Sequence, residues 1–517
     1  MGVARVASRA QLGLAAPRVE VEVHLGSGLP QFSIVGLPAT AVKESKDRVR
    51  AALQNSGFEY PAGRITVNLS PADLPKEGCR YDLPIALGIL LASSQVTFPE
   101  RLLNCSEFYG ELGLAGELRP IRGVLLAAAH ASREARNVIV PAANLGEARL
   151  VAPASTSGAS SLLAVSEMCS GRNPAALEHE YPALPAPADQ GRGARPDLLD
   201  VRGQAAPKRA LLIAAAGAHS ILLIGPPGTG KSMLAQRLPG LLPPLATDEA
   251  LDVATIASVS NSGFDPRDYG RRPFRAPHHS ASASAIIGGG PRARPGEVSL
   301  SHLGVLFLDE LPEFNRAVLE ALREPLESGV VAIARTALQV EYPARFQLAA
   351  AMNPCPCGYL GDPAGKCRCA PPEIARYRAR ISGPLLDRID LRVEVASIPS
   401  DELLAETRDP HALSSADAAE SVRRARELQR ARAGKLNCEL TSNEIQVHCQ
   451  LDRPSRRLLA QARERLNLSA RGVHRALRVA RTISDLEAAL SDLQKQTGPK
   501  IGPVHLAEAL QLRRAID

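Results

Sequence analysis

The stretch "GPPGTGKS", Gly225 to Ser232, constrains this chain more than any other, because it stands between the apolar run "ILLI" and the helix-forming "MLAQRLPGLL". A buried strand, a Gly-rich turn and a helix in that order make a phosphate loop. Gly225, Gly228 and Gly230 let the backbone approach phosphate oxygens closely, with Pro226, Pro227 and Thr229 completing the turn. Lys231 supplies a point charge to the β and γ oxygens, and the Ser232 hydroxyl is the expected Mg²⁺ ligand. ATP with Mg²⁺ is therefore the expected ligand. The run "GVLFLDE" adds a second buried strand ending in two carboxylates: Asp309 to hold Mg²⁺ through water, Glu310 to polarise an attacking water. A passive binding module has no need of Glu310, so the pair points to hydrolysis.

Other polar residues fall where an ATPase would use them. "FQLAAAMN" reads as a strand ending at Asn353, which either orients the lytic water or caps a turn before Pro354. "RISGPLLDRIDLRVEV" sets Arg380 and Arg388 on either side of an apolar segment; each is a surface ion-pair residue or an arginine finger for a neighbouring subunit. His278 and His279 in "RAPHHSASAS" are adjacent, so on a strand or a helix they point apart, and capping or interface hydrogen bonds are their expected use.

Composition bears on partners and compartment. No run of eighteen apolar residues is present, and the first residues lack the long apolar core of a secretion signal, so a cytoplasmic protein without membrane contact is expected. A net charge of +7 favours an anionic partner such as nucleic acid. With no Trp and 3% aromatics, rows of stacked bases are not the expected mode of binding. Four of nine cysteines cluster as Cys355, Cys357, Cys367 and Cys369, in two pairs separated by a Gly- and Pro-bearing loop. Four thiolates around one ion favour a closed, structural Zn²⁺ site and leave no coordination position for chemistry.

A chain of 517 residues exceeds one ordinary core. Residues 1–168 alternate short strands with helices; 169–196 are Pro-, Ala- and Gly-rich and read as a linker; 197–399 carry the nucleotide motifs with the cysteine insertion at 355–369; 400–517 are rich in Ala, Leu, Arg and Glu at helical spacing. The expected fold class is a multidomain α/β protein.

The motif order resembles the magnesium-chelatase-like AAA+ ATPases of the ComM/YifB type over essentially the whole chain. The carrying segments include "NLSPADLPKEGCRYDLPIALGIL", "GPPGTGKS", "RPFRAPHHSASASAIIGGG", "GEVSLSHLGVLFLDELPEF", "MNPCPCGY", "RISGPLLDRIDLRVEV" and "SARGVHRALRVARTISDL". The resemblance implies an AAA+ core with a helical C-terminal lid, Asn353 as sensor 1, Arg388 as arginine finger, and Arg475 or Arg471, one helical turn apart and Arg475 favoured, as sensor 2. It also implies a homo-hexameric motor acting on branched or single-stranded DNA without sequence preference, associated with branch migration in natural transformation. Two basic segments suit that partner. "SGVVAIARTALQVEYPA" alternates like a β-hairpin with Arg335 near its tip, where related helicases present a basic pore residue. "IIGGGPRARPGEVSL" adds Arg292 and Arg294 on a loop.

The N-terminal region resembles a Lon-protease-like α+β domain, through "LPKEGCRYDLPIAL" and "GELGLAGELRPIRG". At the positions of that family's Ser-Lys dyad stand Arg80 and Leu125, which can act neither as nucleophile nor as base. Lys76 reads as a charged surface or binding residue, and with Arg80 leaves DNA contact open for this domain. Three classes compete: a DNA-translocating ATPase, a magnesium-chelatase motor subunit or other ATP-dependent remodeller, and an ATP-dependent protease lacking its dyad.

Overall fold

Valines alternate through the strand Arg18–Gly26, and Val19, Val21 and Val23 are completely buried, as one face of a half-covered sheet requires. In this computed structural model, residues 2–171, 196–290, 293–335, 338–361, 365–398, 413–466, 468–490 and 500–513 are described. Arg292, most of the 169–196 linker and the 399/400 division lie outside them.

Arg18–Gly26 is flanked by Val3–Arg9 and Arg64–Ser70, both antiparallel to it, with Gln31–Val35 at the edge, parallel to Arg64–Ser70. The helix Asp82–Ala92 is apolar on every side and accordingly buried from Asp82 to Leu90. A three-stranded parallel sheet, Ser106–Phe108, Asn137–Pro141 and Thr156–Ala159, packs with helix Val124–Arg133 to finish this region.

The expectation that Lys76 is a surface residue fails. Lys76 is fully buried, its ammonium donates to the Pro71 carbonyl, and burial pulls its pKa below the usual lysine value. A backbone bridge from Pro38 draws the residue inward. Arg80 is also buried, held by Gln11 Oε1 at 2.8 Å and the Arg122 carbonyl at 2.9 Å, and Leu125 lies inside its helix. Neither basic residue is therefore available to DNA.

The second region is a five-stranded parallel sheet in the order Phe274–Arg275, Val305–Leu308, Gln347–Met352, Ile221–Ile224, Leu391–Glu394. Both faces are covered, so Ile221–Ile224 and Val305–Leu308 are apolar throughout and Gln347–Met352 is apolar after its first residue. Ile221, Leu223, Val305, Phe307, Ala349 and Ala351 face the helices Ala205–Gly217 and Lys231–Leu241. Leu222, Ile224, Leu306, Leu308, Ala350 and Met352 face the other way, toward Leu311, Phe314 and the hairpin Val330–Arg335/Leu338–Pro343. The described residues beyond 413 fold as helices Ser415–Ala433, Ser442–His448, Arg453–Arg465, Ala470–Leu490 and Pro503–Gln511, which share the first of these cores. Among the described residues, no helix is long and apolar enough to cross a membrane.

Candidate nucleotide site and the opposite edge of its sheet

At the carboxyl ends of the parallel strands, Lys231, Ser232, Asp309 and Asn353 come together. The strand Ile221–Ile224 ends at Gly225, where a β-carbon would overlap the Val395 carbonyl, and Gly230 turns into helix Lys231–Leu241 with φ +88°. Lys231 Nζ donates to the carbonyls of Gly225 (2.7 Å) and Pro226 (2.8 Å) and to Asn353 Oδ1 (3.1 Å). Asn353 thus turns toward the phosphate loop. Burial lowers the Lys231 pKa, while Asp309 and Glu310 favour its charge. Ser232 Oγ donates to Asp309 Oδ2 at 2.6 Å, so the hydroxyl and carboxylate expected to hold Mg²⁺ already share one position.

Glu310 follows with φ +51°, a backbone conformation rare for a residue with a β-carbon, and its side chain is about half exposed. His279 Nδ1 lies 3.2 Å from Glu310 Oε2. The two adjacent histidines do not diverge: their ring centroids are 4.1 Å apart, because this segment is irregular and neither strand nor helix alternation applies. Arg380 is on this side too, 2.7 Å from Glu313 Oε2.

Arg388 is elsewhere. It precedes Leu391–Glu394, the parallel neighbour of the phosphate-loop strand, so it lies at the amino ends of the strands whose carboxyl ends carry Lys231. Four residues of strand separate the two edges by roughly 13 Å. Its guanidinium contacts Glu327 Oε1 (2.6 Å) and the Pro384 carbonyl (2.8 Å), with Nε buried and without a hydrogen-bond partner among the described residues. Arg475 Nη1 donates to the Arg388 carbonyl (2.8 Å) and to Asp390 Oδ1. Asp390 also meets His219 Nδ1 at 3.2 Å, and His219 Nε2 meets Thr482 Oγ1 at 2.8 Å. Burial alone would raise the Asp390 carboxyl, but the His219 hydrogen bond and the Arg475 charge hold it well below the usual range. Arg471 is 73% exposed, 3.9 Å from Glu327. A cleft of about 810 Å³ opens here, lined by Arg272, Arg388, Arg426, Arg471, Arg475 and Arg478 among others.

The four cysteines converge. Their sulfurs lie within 4.8 Å of one another, with Cys355–Cys357 at 3.4 Å and Cys367 at 3.7 Å from each. A tetrahedron of sulfurs about 2.3 Å from Zn²⁺ has edges near 3.8 Å, so the donor set fits that ion in type and spacing. Backbone N–H groups of Tyr359 and Arg368 bring the Cys357 thiol down to about 6, while Cys367 and Cys369, against the lowering pull of their own backbone hydrogen bonds, are raised by hydrogen bonds to Cys357 and Cys355. Gly358, inside this loop, abuts the phosphate loop: a β-carbon there would stand 2.6 Å from Pro227 Cδ.

The basic segments also meet. Arg335 ends the first hairpin strand opposite Leu338, and Arg294 pairs with Gly289 in a short ribbon. Tyr342 Oη donates to the Ala293 carbonyl at 2.9 Å, joining hairpin to ribbon. The sequence did not reveal the contacts of Glu327, Asp390 and His219, which come from distant segments. The Gly358–Pro227 approach was equally hidden, and only the glycine inside the cysteine loop hinted at it.

Comparison with known proteins places the chain among its relatives. Residues 197–403 match the family "Magnesium chelatase, subunit ChlI", 21–144 match "Subunit ChlI of Mg-chelatase", and 412–513 match its C-terminal family. Competence protein ComM of Haemophilus influenzae is 47% identical over 516 residues, covering 100% of this chain and 98% of that protein. The uncharacterized protein YifB of Escherichia coli is 48% identical over 519 residues, with the same coverage. The magnesium-chelatase 38 kDa subunit of Rhodobacter capsulatus is 28% identical over 188 residues, 32% of this chain and 53% of that protein.

Proposed function

This chain belongs to the ComM/YifB family of magnesium-chelatase-like AAA+ proteins, and from that premise we propose that it is a cytoplasmic, ring-forming ATPase that drives branch migration of DNA during natural transformation. The observation that carries the motor reading is the split between Lys231 at one sheet edge and Arg388 at the other. A ring of identical copies, a hexamer in this reading, brings the second edge of one copy to the first edge of the next.

In that arrangement Lys231 and Asn353 position the γ-phosphate, Glu310 accepts a proton from the attacking water, and Arg388 of a neighbouring copy stabilises developing charge. Arg475, tied to the Arg388 carbonyl and to Asp390, acts beside it as sensor 2 in preference to the exposed Arg471; Arg380, paired with Glu313 on the carboxyl side, is not the finger. Ser232 and Asp309 are the residues that would hold Mg²⁺, whose charge offsets that of the phosphates when bound. The cysteine cluster holds structural Zn²⁺ and clips the Pro227 side of the loop. DNA passes the arginines at 335, 294 and 292, which contact phosphates without reading sequence. The N-terminal region, read as a Lon-like fold without a dyad, works in assembly and not in peptide cleavage.

A chelatase motor subunit would share the ATP site. The relative of that kind covers about a third of this chain, whereas the competence protein covers all of it, which favours the DNA reading. The test is ATPase activity with and without a four-way DNA junction, with Glu310→Gln as control. Stimulation by the junction, and loss of turnover in Glu310→Gln, support the proposal; turnover indifferent to every DNA, or retained in Glu310→Gln, contradicts it.

A further inference from the structure

The N-terminal region reaches the arginine hairpin through one tight turn. Leu12 and Ala15 exchange two backbone hydrogen bonds of 2.9 Å, and Gly13 between them has φ +60°. A β-carbon at Gly13 would overlap the Val340 Cγ1 methyl, so turn and hairpin touch backbone to side chain. Val340 pairs across the hairpin with Ile333, whose Cδ1 would stand 2.9 Å from a β-carbon on Gly288, at the base of the Arg294 ribbon. Ala16 and Leu126 of the N-terminal region share one buried core with Val331, Ile333, Val340 and Tyr342.

The turn is itself braced. Arg9 Nη1 donates to the Ala16 carbonyl at 3.0 Å, and Arg9 is fixed by Glu107 at 2.8 Å in a buried pair. Arg80 holds Gln11, the residue entering the turn, at 2.8 Å. A second anchor joins the N-terminal region to helix Thr247–Ser258: Gly123 N–H donates to the Ser258 carbonyl at 3.1 Å, and Ser258 Oγ donates to the buried Glu147. The turn therefore belongs to a region that meets the ATPase region at two places, the hairpin and helix Thr247–Ser258.

We infer that the Leu12–Ala15 turn is the seat of the hairpin and sets where its arginine tip and the Arg294 ribbon stand relative to DNA. The N-terminal region then works as a positioning element that couples DNA contact to ATP turnover. This rests on the DNA reading above for its partner, while the mechanical contact does not. Packed interiors transmit such a contact because their side chains have few alternative positions.

The test uses the full-length chain with Gly13→Ala, Val340→Ala and the double variant. Val340→Ala removes the methyl that the new β-carbon meets and leaves the backbone strain at residue 13 in place, so rescue separates the clash from the strain. Two quantities are read: amide hydrogen exchange of the hairpin without DNA, and the ratio of junction-stimulated to basal ATPase. Gly13→Ala is expected to raise hairpin exchange and to cut the stimulation ratio roughly tenfold, since misplacement by about 1 Å can cost 100-fold. Its basal turnover is expected to stay unchanged. The double variant is expected to recover both readouts. Unchanged hairpin exchange in Gly13→Ala, or a double variant as impaired as the single, overturns the inference. If no DNA stimulates the unaltered protein, the DNA reading falls, and hydrogen exchange alone still decides whether the turn seats the hairpin.

Discussion

Lys231 and Arg388 stand at opposite ends of neighbouring parallel strands, Ile221–Ile224 and Leu391–Glu394, so one chain cannot bring both to the same phosphate. That relationship makes the proposed ATP site a property of two adjoining copies. Lys231→Ala and Arg388→Ala are each expected to lose turnover, by about 1,000-fold for the finger. Mixed together, they are expected to regain part of it, because some boundaries then pair an intact Lys231 with an intact Arg388. ATPase assays of the mixture at constant total protein check this; a mixture no better than either variant argues for a site complete within one chain.

The cysteine loop is expected to govern nucleotide affinity through Pro227. Gly358→Ala places a β-carbon 2.6 Å from Pro227 Cδ at a residue with φ +85°. Relieving that overlap displaces Pro227 in the phosphate loop, so KM for ATP is expected to rise, by about tenfold if about 1.4 kcal/mol of binding is lost, with kcat little changed. Chelation of Zn²⁺, or Ser at all four cysteines, should shift KM the same way and weaken ring assembly. Steady-state kinetics and sedimentation report both, and full assembly and affinity in the four-Ser protein would contradict a structural metal.

His302 predicts a pH window. Burial, with the nearby Arg345 charge, lowers its pKa from 6.5 to about 4. Between those values the unfolded chain binds a proton that the folded chain does not, so stability falls as pH drops from 6.5 to about 4 and levels off below. The loss is about 3 kcal/mol at most. Asp82, raised to about 6 by burial against the opposing pull of Arg48, works in the opposite sense. The clean measurement is therefore the difference between the native protein and His302→Asn in denaturant melts from pH 7 to 4. A difference independent of pH would contradict the assignment.

Asp390 joins the sheet to the C-terminal helices through His219 and Arg475. Asp390→Ala strands a partly buried guanidinium, and such losses cost about 3–5 kcal/mol. Calorimetry should show a lowered Tm even with saturating nucleotide; an unaltered Tm would mean that Arg475 finds another acceptor.

The phosphate loop, the Asp309–Glu310 strand end and the hairpin were legible because each depends on local order: an apolar run, then glycine or carboxylate, or strict alternation. The convergence of Cys355, Cys357, Cys367 and Cys369 was legible for the same reason. Which sheet edge holds Arg388 was not, since that follows from the parallel pairing of strands far apart in the chain. Lys76 misled because a charged residue beside Glu77 looks solvated, while its ammonium is drawn under the Pro71 carbonyl. The contact of Arg475 with Asp390, which lies eighty-five residues earlier in sequence, was not legible either.

The central claim is that ATP hydrolysis at this site moves DNA strands. The most direct measurement follows a labelled strand in a mobile four-way junction incubated with the protein, with ATP or without it, and with Glu310→Gln in parallel. The account predicts release of the labelled duplex only with ATP and only with Glu310 intact. An active ATPase that leaves every junction in place would contradict it.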